Sequence, residues 1–393
     1  MTKKTSTNPI LKALNSLETV FDKTKNRIRG PVPQNQVQIV AYMGFGSNEK
    51  LFLQGRVLKD KNIVPATEDA SLWSNIVSMY KRFQSREIPF AVVEANLNGK
   101  LYTQTADEEG FFTFEFDHVS ATVPEISFIE IPVRLVSYEG SDQSEDQEVT
   151  AVGRVLIPGT ATSFGVISDV DDTVIQTNVV SLLAMARNTF FRNAHTRLPF
   201  EGVAEFYEAL RRGKGTDHNP IFYVTSGAFN LYDMLIEFFN VRGIPVGPLF
   251  MTQMGLTREH LLYSSHYNHK FNTIQRLLDI YPHLNFILLG DSSQKDPEIY
   301  LEVIRKNPSR ILAAYIRDVT SDKRDADIQD IIKQAVDLGA MMLYVPDTTA
   351  ASIHAEAQGY ITPRAQEQTE MGAEAEKEQP SPIEQAINPD SEI

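Results

Sequence analysis

The sequence predicts an α/β protein in two parts: an N-terminal antiparallel β-sandwich-like domain, followed by an open α/β domain with a Rossmann-like sheet. Two observations carry this prediction. From about residue 36 to 160, apolar and polar residues alternate at the period of a strand. After Pro158, short apolar runs alternate with helical patterns, which is typical of a parallel sheet covered on both faces. The 393 residues leave room for two or three domains.

The composition is that of a globular protein, with 42% hydrophobic and 22% charged residues, and it excludes a fibrous or wholly disordered chain. Cysteine is absent, which excludes disulfides, a thiol nucleophile and Cys-ligated metal sites. Because the sequence shows neither an apolar span of ~20 residues nor a secretory signal pattern, we expect a cytoplasmic protein. The net charge of −14 and the lack of a basic domain predict no nucleic-acid partner.

Residues 1–33 are predicted to form an amphipathic helix. Apolar residues recur at near-helical spacing from Ile10 to Ile28, and residues 1–30 carry seven Lys and Arg against Glu18 and Asp22. Two interpretations stay open: the helix lies peripherally on an anionic membrane surface, or it docks its apolar side on the next domain.

Residues 34–160 are predicted to form the β-sandwich accessory domain. Asn98 and Gly99 separate two strand-like runs, which is a strong signal for a tight hairpin. Further along, Phe112, Phe114 and Phe116 alternate with polar residues and so share one face of a strand. These patterns are typical of antiparallel sheets with one buried face.

Residues 161–350 are predicted to form the open α/β domain. Its candidate strands are 164–169, 221–225, 285–290 and 311–316. Its candidate helices include 202–212, 229–240, 271–280 and 297–306. The remainder, 351–393, is poor in apolar residues, and 365–393 carries eight acidic residues against Lys377. We therefore predict a disordered acidic tail there.

Residues able to do chemistry follow the predicted strands or stand before a predicted helix. In open α/β sheets, ligands bind beyond the carboxyl ends of the strands, so these side chains are the candidate site. They are Asp169 and Asp171 after the first strand, Thr225 after the second, Lys270 before the helix at 271–280, and Asp291 and Asp296 after the third strand.

This set of residues fits phosphoryl transfer. A carboxylate nucleophile such as Asp169 can form an aspartyl-phosphate, and its neighbour Asp171 can serve first as acid and then as base. A hard divalent cation needs oxygen ligands, which Asp169 and Asp291 offer. Thr225 and Lys270 can hold the phosphoryl oxygens as charge develops.

The order Asp-x-Asp-x-Thr, Thr/Ser, Lys and Gly-Asp-x-x-x-x-Asp resembles the haloacid dehalogenase superfamily. A closer resemblance, over roughly 150–320, is to the catalytic domain of the actin-patch phosphatidate phosphatase family. The region before it resembles the accessory domain of bacterial members of that family, including Gly55-Arg56-Val57-Leu58. The runs that carry the closer resemblance are Phe164–Val174, Asn193–Val203, Gly290–Tyr300 and Ile316–Val319.

The resemblance implies Mg²⁺-dependent removal of phosphate from phosphatidate or a related lipid phosphate, with a small cap between Val174 and Pro220. It implies that Asp169 is the nucleophile, Asp171 the acid/base, and Thr225 with Lys270 the phosphate-holding pair. The implied metal set is Asp169, Asp171 through its backbone carbonyl, Asp291, and Asp296, which orients the lysine or a metal-bound water.

Three alternatives remain open. Asp296 precedes Pro297 and could simply cap a helix, or could cap it and also serve the site, which is the interpretation that we favour. The substrate could be a soluble phosphomonoester, because the same site would serve many of them. The chain could also be a non-catalytic adaptor for membrane or protein partners, although Asp169, Asp171, Lys270 and Asp291 are all present.

Overall fold

The computed structural model describes residues 37–59, 87–117, 124–139, 148–171, 173–174, 201–215, 218–252, 264–319 and 324–378. The predicted N-terminal helix, most of the predicted cap and the end of the predicted tail lie outside the described residues. Within the described ranges the chain is α/β, as the sequence predicts.

The first part, which we call the β domain, is one connected eight-stranded sheet. Its strand order is β1-β3-β2-β8-β7-β4-β5, and β6 pairs with β3. All pairs are antiparallel except β2 with β8, which is parallel. The strands are β1 Val37–Ala41, β2 Gly44–Gly46, β3 Lys50–Lys59, β4 Val92–Leu97, β5 Lys100–Thr105, β6 Phe111–Asp117, β7 Ser127–Ser137 and β8 Thr150–Ile157.

The period-2 pattern of the β domain places its apolar residues inside. Phe112, Phe114 and Phe116 are buried, whereas the polar residues between them are exposed. Asn98 and Gly99 both have positive φ, 54° and 84°, and close the predicted two-residue hairpin between β4 and β5. The antiparallel sheet is therefore observed, and a two-layer sandwich stays a prediction.

The second part, which we call the α/β domain, contains a six-stranded parallel sheet in the order β11-β10-β9-β12-β13-β14. The central strands β9 and β12 are buried throughout, which agrees with their continuous apolar runs. The six strands are β9 Gly165–Asp169, β10 Ile221–Ala228, β11 Leu249–Thr252, β12 Phe286–Asp291, β13 Ile311–Arg317 and β14 Met342–Val345.

Helices between and after these strands bury their apolar sides against the sheet. One apolar cluster includes Val203, Phe206 and Leu210, and another includes Ile274 and Leu277. The two clusters contain side chains from alternate positions of the central strands, so the sheet is covered on both faces. The helices are α1 Val203–Arg212, α2 Tyr232–Val241, α3 Ser264–Ile280, α4 Asp296–Lys306, α5 Asp325–Asp337, α6 Thr348–Ala357 and α7 Pro363–Glu378.

The β domain packs against the α/β domain through aromatic side chains. The Tyr42 ring lies 4.6 Å from the rings of both Phe229 and Tyr232, between centroids. The guanidinium of Arg276 lies over the rings of Phe45 and Phe52. Aromatic pairs and cation–π contacts of this kind add to the stabilisation from apolar burial.

The prediction of a disordered tail over 351–393 is wrong for residues 351–378. These residues form most of α6 and all of α7, so the folded α/β domain continues past residue 350. α7 packs on α1 through small residues: Thr369 and Ala373 are buried, and the Gly202 backbone lies against them. Few large apolar residues do not imply disorder here, because small side chains let two helices pack closely.

None of the helices within the described ranges is long and apolar enough to cross a membrane.

Candidate active site

Three neighbouring strands bring the predicted site residues to one edge of the parallel sheet. In the register, Asp169 at the end of β9 lies beside Val224 of β10, directly before Thr225. On its other side β9 pairs with β12, which ends at Asp291. The carboxyl ends of parallel strands thus form the crevice in which open α/β sheets bind ligands.

Asp169 is almost fully buried, with 1% of its surface exposed. Burial raises the pKa of the Asp169 carboxyl well above its usual value; Lys270 opposes this shift, and the carboxylates of Asp296, Asp171 and Asp291 add to it. No hydrogen bond from the part of the chain that the structure describes reaches Asp169 Oδ2. A buried carboxylate oxygen of this kind needs a cation or a donor.

Lys270 of α3 is the cationic partner of two of these carboxylates. Its Nζ lies 3.0 Å from Asp169 Oδ1 and also contacts Asp296 Oδ1. Burial disfavours the ammonium form, but the two carboxylates outweigh burial and raise the pKa of Lys270 above its usual value. The side chain is therefore a fixed positive charge between Asp169 and Asp296.

Asp291 and Asp296 are held by the loop that follows β12. Asp291 Oδ1 accepts hydrogen bonds from the backbone N–H groups of Ser293 and Gln294, at 2.6 and 3.1 Å. Asp296 Oδ2 accepts from the backbone N–H of Asp291, at 3.1 Å. Gly290 is needed here, because a Cβ at this position would lie 2.5 Å from Asp296 Oδ2.

Asp296 does not cap its helix. α4 begins at Asp296 itself, and no side-chain capping hydrogen bond is present there. Burial raises the pKa of Asp296 to about 6, whereas Lys270 acts in the opposite direction. The expectation that Asp296 also caps the helix is therefore wrong, because its carboxylate oxygens contact Lys270 and the backbone N–H of Asp291 instead.

The carboxylates of Asp169, Asp291 and Asp296 could hold a metal ion together. One oxygen from each lies within 4.8 Å of the others, and all three residues are buried. Lys270 contacts two of these carboxylates, Asp169 and Asp296. The guanidinium of Arg317 interacts electrostatically with the third, Asp291. A cation would offset the negative charge that remains. Because every donor is a hard oxygen, the set fits a divalent cation of the Mg²⁺ or Ca²⁺ type.

Asp171 lies beside this cluster and bonds to the phosphate-holding candidate. Thr225 Oγ1 donates to Asp171 Oδ2 at 2.8 Å and accepts from the backbone N–H of Gly227 at 2.9 Å. The Asp171 carboxylate is not one of the three that could hold a metal, so its predicted metal role would fall to its backbone carbonyl. The hydrogen bond fixes the orientation of both side chains.

Sequence reasoning missed the residues that support the site from behind. Tyr207 of α1 shares a 2.6 Å hydrogen bond with Ser168, whose hydroxyl donates to the Asp169 carbonyl. Arg324 Nη1 donates to the Ser292 carbonyl, and Arg324 Nη2 donates to both carboxylate oxygens of Glu298, each at 2.8 Å. Tyr207 and Arg324 reach the site from segments far apart in sequence, so no spacing rule links them to it.

These features define a class of protein: an α/β domain whose buried aspartates and lysine meet at the carboxyl ends of parallel strands. Residues 164–318 match the family model described as phosphatidate phosphatase APP1, catalytic domain. The chain therefore resembles this family of phosphoric monoester hydrolases over that region, as the sequence motifs predict.

Two proteins are similar to the chain in sequence. Phosphatidate phosphatase APP1 of Saccharomyces cerevisiae is 30% identical over 167 residues, which is 42% of this chain and 28% of that protein. Uncharacterized protein C29B5.04c of Schizosaccharomyces pombe is 22% identical over 211 residues, 52% of this chain and 34% of that protein. The chain spans about a third of the length of the curated relatives it matches.

Among solved structures, a carbohydrate acetylesterase of Xanthomonas citri, XAC1771, aligns with a TM-score of 0.31 and 12% identity. The alignment covers 79% of this chain and 72% of that one. A likeness at this level says nothing about the site.

Proposed function

We propose that this protein is a Mg²⁺-dependent phosphatase that hydrolyses a phosphomonoester through an aspartyl-phosphate, and that its substrate is phosphatidate or a related lipid phosphate. The observation that carries the proposal is the buried group of Asp169, Lys270, Asp291 and Asp296 at the strand ends. The family match over 164–318 supports it. A haloacid dehalogenase-like arrangement is part of the proposal, supported by the parallel sheet with β9 at its centre.

In the proposed reaction, an oxygen of Asp169 attacks phosphorus, and the bond from phosphorus to the ester oxygen breaks. Asp171 gives its proton to the departing oxygen. Asp171 then takes a proton from water, whose oxygen attacks the aspartyl-phosphate, so that inorganic phosphate leaves and the Asp169 carboxylate is restored. The Thr225–Asp171 hydrogen bond holds the acid/base beside the nucleophile.

Electrostatic stabilisation falls to fixed groups. Lys270 would neutralise negative charge that develops on the phosphoryl oxygens, because its ammonium is already held between Asp169 and Asp296. The Thr225 hydroxyl has one proton, so with substrate bound it would donate to a phosphoryl oxygen in place of Asp171. A Mg²⁺ ion held by Asp169, Asp291 and Asp296 would offset the repulsion between carboxylate and phosphate.

The lipid substrate is proposed on the similarity of residues 164–318 to the catalytic domain of phosphatidate phosphatase APP1. A soluble phosphomonoester is the second candidate, because the site chemistry would be the same. A small cap in the insertion after Val174 would leave the crevice open to a bulky headgroup at a bilayer.

We propose a cytoplasmic protein that binds reversibly to a membrane surface through the basic segment 1–33, with no nucleic-acid partner. A non-catalytic adaptor is disfavoured, since every candidate catalytic group is present.

The test is phosphate release by the full chain from phosphatidate in vesicles, from soluble phosphomonoesters and from an aryl phosphate. We expect turnover with Mg²⁺, loss on exhaustive chelation, and loss in Asp169→Asn. The exposed carboxylate Asp327 provides a matched control, and Asp327→Asn should behave as wild type. Full activity after chelation would remove the metal from the proposal, and an inactive wild-type chain would favour the adaptor.

A further inference from the structure

A buried arginine joins the β domain to the α/β domain. Arg56 of β3 lies in the Gly55–Leu58 run and is only 6% exposed. Burying a guanidinium is costly unless its N–H groups find acceptors. Here Nε donates to the Glu109 carbonyl at 2.8 Å, and Nη2 donates to Glu87 Oε1 at 3.2 Å. The guanidinium group of Arg56 also lies over the Phe111 ring, with Cζ 4.3 Å from the ring centroid.

The third nitrogen of Arg56 reaches across to the other domain. Nη1 donates to Asn230 Oδ1 at 2.9 Å. Asn230 lies in the 3₁₀ turn Phe229–Leu231, which directly follows β10 and precedes α2. Hydrogen bonds from a charged donor are stronger and more directional than neutral ones. One charged side chain of the β domain thus fixes the position of this turn.

Further contacts with the β domain hold the residues on either side of Asn230. Phe229 packs its ring on Tyr42 and Phe111, at centroid distances of 4.6 and 5.1 Å. The Tyr232 hydroxyl accepts a 3.0 Å hydrogen bond from the backbone N–H of Met43. The turn that follows β10 therefore packs on the β domain through hydrogen bonds and aromatic contacts.

This turn directly continues the end of β10, which carries Thr225. Only four residues separate Thr225 from Asn230, and within them Gly227 N–H donates to Thr225 Oγ1. Thr252 Oγ1 donates to the Ser226 carbonyl at 2.9 Å. The Thr225 hydroxyl also donates a hydrogen bond to Asp171. A displacement of the turn would therefore displace Thr225, and with it Asp171, because only a short hydrogen-bonded segment lies between.

We propose that the β domain positions the phosphate-holding end of β10, residues 225–228, and that Arg56 is the positioning residue through its hydrogen bond to Asn230. The inference rests on the proposed function for its kinetic consequence, and it assigns a role to the Gly55–Leu58 run that the reaction itself does not use. Arg56 touches no reacting atom. It acts through Asn230 on the placement of Thr225.

Asn230→Ala is the sharpest variant, because it removes the link and leaves the contacts of Arg56 inside the β domain intact. We expect kcat on an aryl phosphate to fall between about 10- and 100-fold, since small misplacements of a catalytic group have effects of that size. Arg56→Ala should give a similar loss. The double variant should lose no more than Arg56→Ala alone, because both substitutions break one hydrogen bond.

Two controls separate positioning from general stability. Asn240→Ala removes an exposed Asn at the other end of α2, and Arg154→Ala removes an exposed arginine that lies over Phe128 in the same sheet as Arg56. Both should keep wild-type kcat. Amide hydrogen exchange of residues 225–228, measured in the full chain, reports the placement of the end of β10 without turnover. It should speed up in Asn230→Ala while exchange in β12 and β13 stays unchanged.

The outcomes are distinct. Faster exchange at 225–228 with reduced kcat supports the proposal. Wild-type kcat and wild-type exchange in Asn230→Ala would overturn it while leaving the phosphatase intact. If the wild-type chain releases no phosphate, the proposed function fails, and the exchange measurement alone decides whether the β domain holds the end of β10.

Discussion

At the scale of single residues, the charge balance of the site depends on Lys270. Its ammonium is buried between Asp169 and Asp296, two of the three clustered carboxylates. Removing one member of a buried ion pair leaves its partners as uncompensated charges. The same ammonium that would stabilise phosphoryl transfer therefore also stabilises the fold.

We predict that Lys270→Met lowers the free energy of unfolding by about 3–5 kcal/mol in the presence of a chelator, as measured by urea denaturation. The matched control is Lys333→Met, which removes an exposed lysine paired with Asp337 on α5. This control should show no measurable loss, because solvent screens that pair. Equal losses in the two variants would show that Lys270 is not a buried charge partner.

The site residues could be predicted from sequence because they are local features of strand ends. Asp169, Thr225 and Asp291 each follow a short apolar run, and parallel strands bring such positions to one edge. The contacts of Arg324 and Asn230 could not be predicted in this way. Each depends on the packing of segments that lie far apart in the chain, and packing follows from the whole fold.

At the scale of elements, α7 shows where composition misleads. Its sequence is rich in Ala, Glu and Gln, yet Thr369 and Ala373 are buried against α1, and Gly372 lies close to Glu205. A helix can pack through a narrow stripe of small residues, which does not raise mean hydropathy. The strands of the parallel sheet are easier to predict from the sequence, because burial on both faces requires a continuous apolar run.

We predict that Ala373→Glu reduces the free energy of unfolding by roughly 2–4 kcal/mol, because it places a charge in the buried α1–α7 contact. Ala375→Glu is the matched control, since Ala375 is exposed on the same helix, and it should change stability by no more than about 0.5 kcal/mol. Thermal unfolding of the full chain measures both. If the two variants melt together, α7 does not contribute to the folded domain.

At the scale of the whole molecule, charge is distributed unevenly. Residues 1–30 carry seven Lys and Arg against two acidic residues, while 365–393 is strongly acidic. Each basic residue near an anionic bilayer is worth about 1 kcal/mol, within a Debye length of roughly 8–10 Å. The basic segment could therefore give salt-sensitive attachment, opposed by the acidic tail.

We predict that the full chain binds anionic vesicles more tightly than a chain beginning at Gln34, and that the difference shrinks as salt rises from low to physiological concentration. Co-sedimentation measures it, and neutral vesicles provide the control surface. Equal sedimentation of both chains would mean that segment 1–33 docks on the protein, as the second interpretation of the sequence holds.

The proposed reaction transfers the phosphoryl group to Asp169, and trapping this covalent intermediate tests it. Asp171→Asn should still form the intermediate from an aryl phosphate, whose leaving group needs little protonation, but should hydrolyse it slowly for lack of a base. Quenching this reaction with borohydride reduces an aspartyl-phosphate to homoserine, which mass spectrometry locates. We predict homoserine at position 169, dependent on Mg²⁺. Turnover by the wild-type chain with no modification at 169, or with modification at 291 or 296 instead, would contradict the account.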